Sequence, residues 1–386
     1  MKKILIVGAG ISGATIARLL AEQGAFMIRV IDGRSHVAGN CYTTVNHGII
    51  EHIYGPHIFH TDQPAVFAFL KKFGHFYDYR HSVKARHDGI YTLPVNLLTI
   101  CQVYNRELSP TEARALIEKE RVAIAAPKNF EEQALTLIGP RLYEKFFKYY
   151  TERQWGVKAT EIPAYILKRL PLRFNFDDNY FHHPIQAMPQ DGYTRGVQQM
   201  LDHPLIKVEL GTLFDHDMIK HYHHVFYTGK LDEFFHYEYG DLPYRTLSFE
   251  RHFYKDCDYQ GCAVLNNCAP NRGPHDVKDR KDNEGVKEVK GDETRVTEHK
   301  YFAPHNLHPD TIISREYSHR ARRDDIPYYP VNLVAGNESL GRYQALAQRQ
   351  EQVSFVGRLA SFQYLDMDRA ILLATESANK FLQRLS

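Results

Sequence analysis

Residues 4–32 read ILIVGAGISGATIARLLAEQGAFMIRVID, a run whose hydrophobic period changes twice. Ile4–Val7 is apolar throughout, as a strand covered on both faces of a parallel sheet must be. Gly8-Ala9-Gly10-Ile11-Ser12-Gly13 follows, and then Ile16, Leu19 and Leu20 fall on one side of a helix that Gly24 closes. Ile28–Ile31 is the next strand and ends at Asp32. This is a strand–turn–helix–strand unit of about 30 residues, the size of a βαβ start. Gly8, Gly10 and Gly13 fit GxGxxG, with Asp32 nineteen residues after the last of them. The first glycine makes the tight turn, the second lets backbone approach a pyrophosphate, and the third lets helix pack on strand. The helix N-terminus offers unpaired N–H groups to the phosphates, and Asp32 can accept from ribose hydroxyls. The pattern predicts dinucleotide binding.

Further along, Ile206–Leu210, His224–Thr228 and residues 353–357 (VSFVG) read as strands returning to this first sheet. The last helix carries Ile371, Ala374, Ala378, Phe381 and Leu385 at helical spacing. The dinucleotide domain is therefore expected to be discontinuous, built from 1–75, 205–235 and 330–386. Residues 97–158 read as a small helical subdomain. Ser109-Pro110-Thr111-Glu112 is a capping box with Pro at the first helical position, and Asn129 with Glu132 repeats that logic. Gly139-Pro140 is expected to separate a third helix bearing Tyr143, Phe146, Phe147 and Tyr150. Residues 76–96, 159–204 and 236–329 read as an antiparallel-sheet substrate domain. The fold class predicted is thus α/β, Rossmann-like, with helical and sheet additions. Pro270–Glu293 holds six basic and seven acidic residues with almost nothing apolar, and reads as a solvated loop.

Composition narrows the partners. Among 386 residues, 48 basic and 46 acidic side chains nearly cancel, which gives no electrostatic case for nucleic acid or an anionic membrane. The apolar run after Met1-Lys2-Lys3 is too short for a signal peptide or a membrane span. Five cysteines without a CxxC pair read as reduced thiols of a cytoplasmic protein.

Nine stretches together resemble the bacterial UDP-galactopyranose mutases. They are Arg34–Tyr42 (RSHVAGNCY), Tyr54–Thr61 (YGPHIFHT), Thr151–Gly156 (TERQWG), Lys168–Phe174 (KRLPLRF), Asp178–Phe181 (DNYF), Tyr244–Glu250 (YRTLSFE), Thr294–Phe302 (TRVTEHKYF), Pro327–Asn332 (PYYPVN) and Gly357–Met367 (GRLASFQYLDM). They occur in the family's order and span nearly the whole chain. The resemblance implies FAD, which the second glycine turn Gly33-Arg34…Gly39-Asn40 also favours; NAD stays open on the residues alone. It further implies nucleophilic attack by N5 of reduced FAD on the anomeric carbon, departure of UDP, ring opening and reclosure, and no net redox change. A UDP-sugar substrate (galactose or N-acetylgalactosamine), a homodimer and a role in cell-surface polysaccharide synthesis follow from the same resemblance.

The site residues it implies fall into three groups. Arg169 and Arg295 face the departing diphosphate, because guanidinium bonds phosphate oxygens in pairs and stays charged; Arg173, Arg245 and Arg358 are weaker candidates. Phe146, Tyr150 and Trp155 line the uridine end, with Thr151 and Gln154 of the same motif and Asn266 nearby. Tyr180, Tyr317, Tyr364 and Asp366 approach the diphosphate and sugar. The flavin is expected against Gly8, Gly10, Ile11, Ser12, Gly13, Asp32, Gly33, Arg34, Gly39, Asn40, His57, Ile58, Gly357, Arg358, Asp366 and Met367, with His60 the better catalytic candidate of the HxxH pair. A metal reading of His57 and His60 lacks two further ligands, so no metal is expected. Three departures from the family stand out: Pro56 where Ala is usual, His81 where Asn is expected near the sugar, and the charged 270–293 loop before Arg295.

Overall fold

The computed structural model describes residues 1–169, 172–271 and 293–385, with the side chains of residues 168, 169 and 306 outside the description. Most of the charged 270–293 stretch also lies outside the described residues.

The opening motif folds as its period demands. Strand Lys2–Val7 runs into helix Ile11–Ala21 and strand Phe26–Asp32, and the two strands pair in parallel. The sheet they begin has five parallel strands in the order Ile206–Leu210, Phe26–Asp32, Lys2–Val7, His224–Tyr227, Val353–Phe355. Its strands therefore come from three separated stretches of the chain. Helix Ile11–Ala21 packs on one face beside the C-terminal helix Met367–Gln383, and Ile16, Leu20, Ile371, Ala374 and Phe381 close a common core.

A second sheet has seven strands in the order Tyr329–Pro330, Tyr244–Tyr254, Thr311–Arg320, Arg295–Glu298, Val264–Asn267, Val83–Arg86, Ile90–Leu93. All its pairings are antiparallel except that of Val264–Asn267 with Val83–Arg86. A three-stranded sheet of Phe59–Thr61, Ile185–Pro189 and Phe76–Asp78 sits between the two units.

The helical unit contains Leu97–Tyr104, Pro110–Glu120, Phe130–Tyr143 and Tyr149–Trp155. Ser109 forms the full capping box with Glu112, and Asn129 accepts from the Glu132 amide. As expected, Gly139-Pro140 separates two helical segments within Phe130–Tyr143. Gly139 stands outside helical space at φ +73 and ψ +171, Pro140 opens the segment beyond the kink, and a π turn follows over Glu144–Lys148. Gly139 takes a backbone conformation that other residues rarely adopt, and Pro140 suits the first turn of the next segment, where its missing N–H costs nothing.

Candidate active site

The glycine turn lies at the mouth of a cavity of about 340 Å³, a volume in the range of ligand pockets. Gly8 stands at φ +108, and a Cβ there would lie 2.0 Å from Thr228 Oγ1. Gly10 faces Gly39 of the second turn so closely that a Cβ on Gly39 would stand 3.1 Å from Gly10 Cα. Gly13 packs under the turn against the Gly8 carbonyl, and Gly357 sits against Ser12. Asp32 holds the two turns together: its carboxylate oxygens accept from Ala9 N at 2.8 Å and Arg34 N at 2.9 Å. Gly33 lies between those contacts. Arg34 donates from Nη2 to Asn40 Oδ1 at 2.8 Å, while its buried Nη1 has no hydrogen-bond partner among the described residues. Two facing turns free of side chains leave room for a pyrophosphate. These residues fit a dinucleotide.

From the turn, the cavity runs to the antiparallel sheet. Gly10, Ile11, Ser12, Asn40, His57, Ile58, His60, Tyr150, Tyr180, Asn266, Arg295, Arg358, Tyr364, Asp366 and Met367 all line it. Arg295 enters from strand Arg295–Glu298, and its Nε comes within 3.1 Å of Glu316 Oε1 on the neighbouring strand. The two atoms form an ion pair but are not aligned as a hydrogen bond, which leaves the Nε–H unanswered. Burial opposes the charge on Arg295, and the Glu316 carboxylate outweighs it, so the guanidinium pKa is raised well above its ordinary value. Burial also pushes the Glu316 carboxyl up, against the pull of Arg295.

Tyr150, Tyr180 and Tyr329 surround this arginine in the cavity. Burial raises the Tyr180 hydroxyl to about 12 and the other two further still. All three therefore remain O–H donors at neutral pH, suited to phosphate oxygens without adding charge. Tyr329 stacks on Tyr364 with centroids 5.5 Å apart, and Arg358 lies over both rings at 5.6 and 5.2 Å. Arg358 is itself fixed by donation to Leu365 O and Tyr328 O. Burial lowers the His57 imidazole to about 4 and that of His81 to about 3, so both rings are neutral where they meet the cavity.

Several residues singled out in the sequence lie elsewhere. Phe146 does not reach the cavity; it is 1% exposed and meets Tyr91 edge-on at 5.2 Å within the core of the helical unit. Tyr317 points away as well: strand alternation turns Glu316 inward and sends Tyr317 to the opposite face, where its hydroxyl donates to Glu250 at 2.9 Å. Thr151 and Gln154 are buried behind the wall. The Gln154 carbonyl accepts from Arg245 Nε at 3.1 Å and from Ser318 Oγ at 2.6 Å. Trp155 packs 6.0 Å from Tyr364 and 6.2 Å from Tyr329. Arg245 thus caps the helix that presents Tyr150, and Arg173 bonds the Phe181 carbonyl and pairs with Asp177. Arg169 ends the helical turn Ala164–Arg169, and its side chain lies outside the described residues.

Lining residues that sequence reasoning left without a role include Tyr54, Phe181, Glu316 and Tyr329. Tyr329 lay inside the quoted PYYPVN motif, so a signal was present; nothing in TIISREYSHR announces that Glu316 faces inward.

A dinucleotide turn joined through an arginine–tyrosine cavity to an antiparallel sheet defines a flavoprotein-like nucleotide enzyme. In agreement, the NAD(P)-binding Rossmann-like domain family matches residues 6–73. The chain belongs to the UDP-galactopyranose mutase family, a family of isomerases whose sequence model matches residues 145–364. It is 47% identical to the dTDP-fucopyranose mutase of Escherichia coli, over 99% of both chains. It is 46% identical to a probable UDP-galactopyranose mutase of Klebsiella pneumoniae, over 100% of this chain and 96% of that one. Among solved structures, a reduced UDP-galactopyranose mutase superposes with TM-score 0.76 at 14% identity, covering 99% of this chain and 94% of its own. A putrescine oxidase variant superposes at 0.60 and 12% identity over 99% of both chains. At such identities these likenesses speak for the fold alone.

Proposed function

We propose that this protein interconverts the pyranose and furanose forms of a nucleotide-linked hexose, with UDP-galactose as the first substrate to test and its N-acetylgalactosamine analogue as the second. FAD, held in its reduced form, would supply the nucleophile through N5 with no net redox change. The protein's own groups bind and orient. Gly10, Ser12 and Asn40 border the dinucleotide's path, and Arg34 holds Asn40 from behind. Arg295, with Tyr150, Tyr180 and Tyr329 as neutral donors, would receive the diphosphate as it leaves. Arg169, on the motif KRLP, would be the second guanidinium. Asn266 supplies a buried Oδ1 with no hydrogen-bond partner among the described residues, an acceptor suited to the imide N–H of a pyrimidine base. A homodimer belongs to the same reading.

The observation that carries this is one cavity holding both the glycine turns and the Arg295–tyrosine cluster. A diphosphate receptor facing a dinucleotide cradle has no purpose in an oxidase that takes electrons from a small amine. A second substrate has a specific argument: the relative acting on a dTDP-fucopyranose is as similar as the UDP-galactopyranose mutase. Purified protein incubated with UDP-galactofuranose or dTDP-fucofuranose, with and without dithionite, should yield the pyranose only with reductant. Product formation that ignores reductant, or a colourless protein releasing no FAD, would overturn the reading.

A further inference from the structure

One wall of the cavity holds a contact that the reading above leaves unused. His60 sits in the middle of strand Phe59–Thr61, opposite Gln186. Phe181 stacks on its ring with centroids 3.7 Å apart and planes at 23°. Behind it, outside the cavity lining, His183 brings its Nδ1 to 2.7 Å from His60 Nδ1. Two ring nitrogens at that distance share a hydrogen bond, which takes one N–H and one lone pair. Both rings cannot carry hydrogen on Nδ1, and both cannot lack it. The tautomer of one therefore dictates the tautomer of the other.

We propose that His183 is a positioning residue for His60. It holds the imidazole at the cavity wall by Nδ1 and decides whether the remaining nitrogen of His60 presents a hydrogen or a lone pair. This rests on the mutase reading for its consequence. Exchange of the ring oxygen takes a hydrogen from one sugar hydroxyl and returns one to the former ring oxygen. The direction of each hydrogen bond along the wall thus matters to the step more than to binding. His81 lies on the far side of Phe181, with Arg295 acting on it from the sheet. His183 acts on His182 and Asp62, Arg369 acts on Asp62, and Asp368 accepts from Thr61 behind the strand.

Three variants of His183 separate positioning from packing. Asn places an amide group where Nδ1 stood, Gln extends as far as Nε2 and misses it, and Phe keeps the ring without the nitrogen. His183→Asn should retain kcat within roughly threefold, while His183→Gln and His183→Phe should lose on the order of tenfold in kcat with KM nearly unchanged. Imidazole 15N NMR of the holoenzyme gives a readout independent of turnover: the His60 Nδ1 resonance should move in the Gln and Phe variants and stay in the Asn variant. A Phe variant with wild-type kcat and an unmoved resonance overturns the proposal. So does an Asn variant as impaired as Phe, since ring packing would then explain the loss. If the wild type fails to interconvert either nucleotide sugar, the mutase reading falls instead, and the resonance shifts alone decide the proton sharing.

Discussion

At Arg295 and Glu316 a charge pair is taken largely out of water beside a cavity. Such pairs seldom stabilise a fold relative to apolar residues of similar size, whereas removal of one partner strands the other. Glu316 has a side chain only 2% exposed, so Arg295→Met should destabilise the protein by about 3 kcal/mol and abolish turnover. Arg295→Met with Glu316→Leu should regain most of that stability while remaining inactive. Urea unfolding beside a turnover assay checks both; a double variant as unstable as the single would mean that the pair serves the fold. Arg295 was legible because TRVTEHK marks it. Glu316 was not, since Thr311–Arg320 is covered on both faces over most of its length and its alternation does not say which parity meets the cavity. The resemblance pointed to Tyr317, whereas Glu316 beside it lines the cavity.

Helices and strands were legible where their own capping and period decided them, as at Ser109, Asn129 and the first βαβ unit. The end of the helical unit was not. Phe146 and Tyr150 are four apart and would share a face on a regular helix, but the π turn over Glu144–Lys148 winds more residues per turn. The register slips, so Phe146 enters the core and Tyr150 meets the cavity. A different kind of element-level constraint comes from three buried imidazoles. Burial depresses His52 well below its usual value and takes His81 and His299 to about 3. In the unfolded chain the same groups titrate near 6.5. Below that pH the unfolded state binds protons that the folded state refuses, so stability is present above about 6.5 and falls as pH drops toward the folded values. By pH 5 the loss should be on the order of 1–2 kcal/mol per ring, in a window where ordinary carboxylates stay ionised. Unfolding midpoints between pH 7.5 and 5 test this, and a flat profile would refute it.

Across the whole molecule, the cavity joins units whose adjacency no local pattern encodes. The parallel sheet gathers residues 2–32, 206–227 and 353–355, and the antiparallel sheet seats Arg295 between strands that begin at 264 and 311. Hydrophobic period announces a strand but not its neighbour, because sheet order depends on long-range closure. Family motifs supplied what period could not, by marking residues that converge. At the junction stands Trp155, the sole tryptophan, against Tyr364 and Tyr329 and at the end of a helix fixed by Arg245. Arg153 on the same helix ties it to the antiparallel sheet through Asn267 O and Ala269 O, each at 2.8 Å. A nucleotide diphosphate bound among Tyr150, Arg295, Tyr329 and Tyr364 would touch the antiparallel sheet and, through Tyr364, the segment between strand Val353–Phe355 of the parallel sheet and the C-terminal helix. UDP should therefore change Trp155 emission and, at one hundred times its Kd, add about 2.7 kcal/mol to stability. Amide exchange should slow in both large sheets together. Slowing confined to the antiparallel sheet, with tryptophan emission unmoved, would show that the nucleotide does not bridge them.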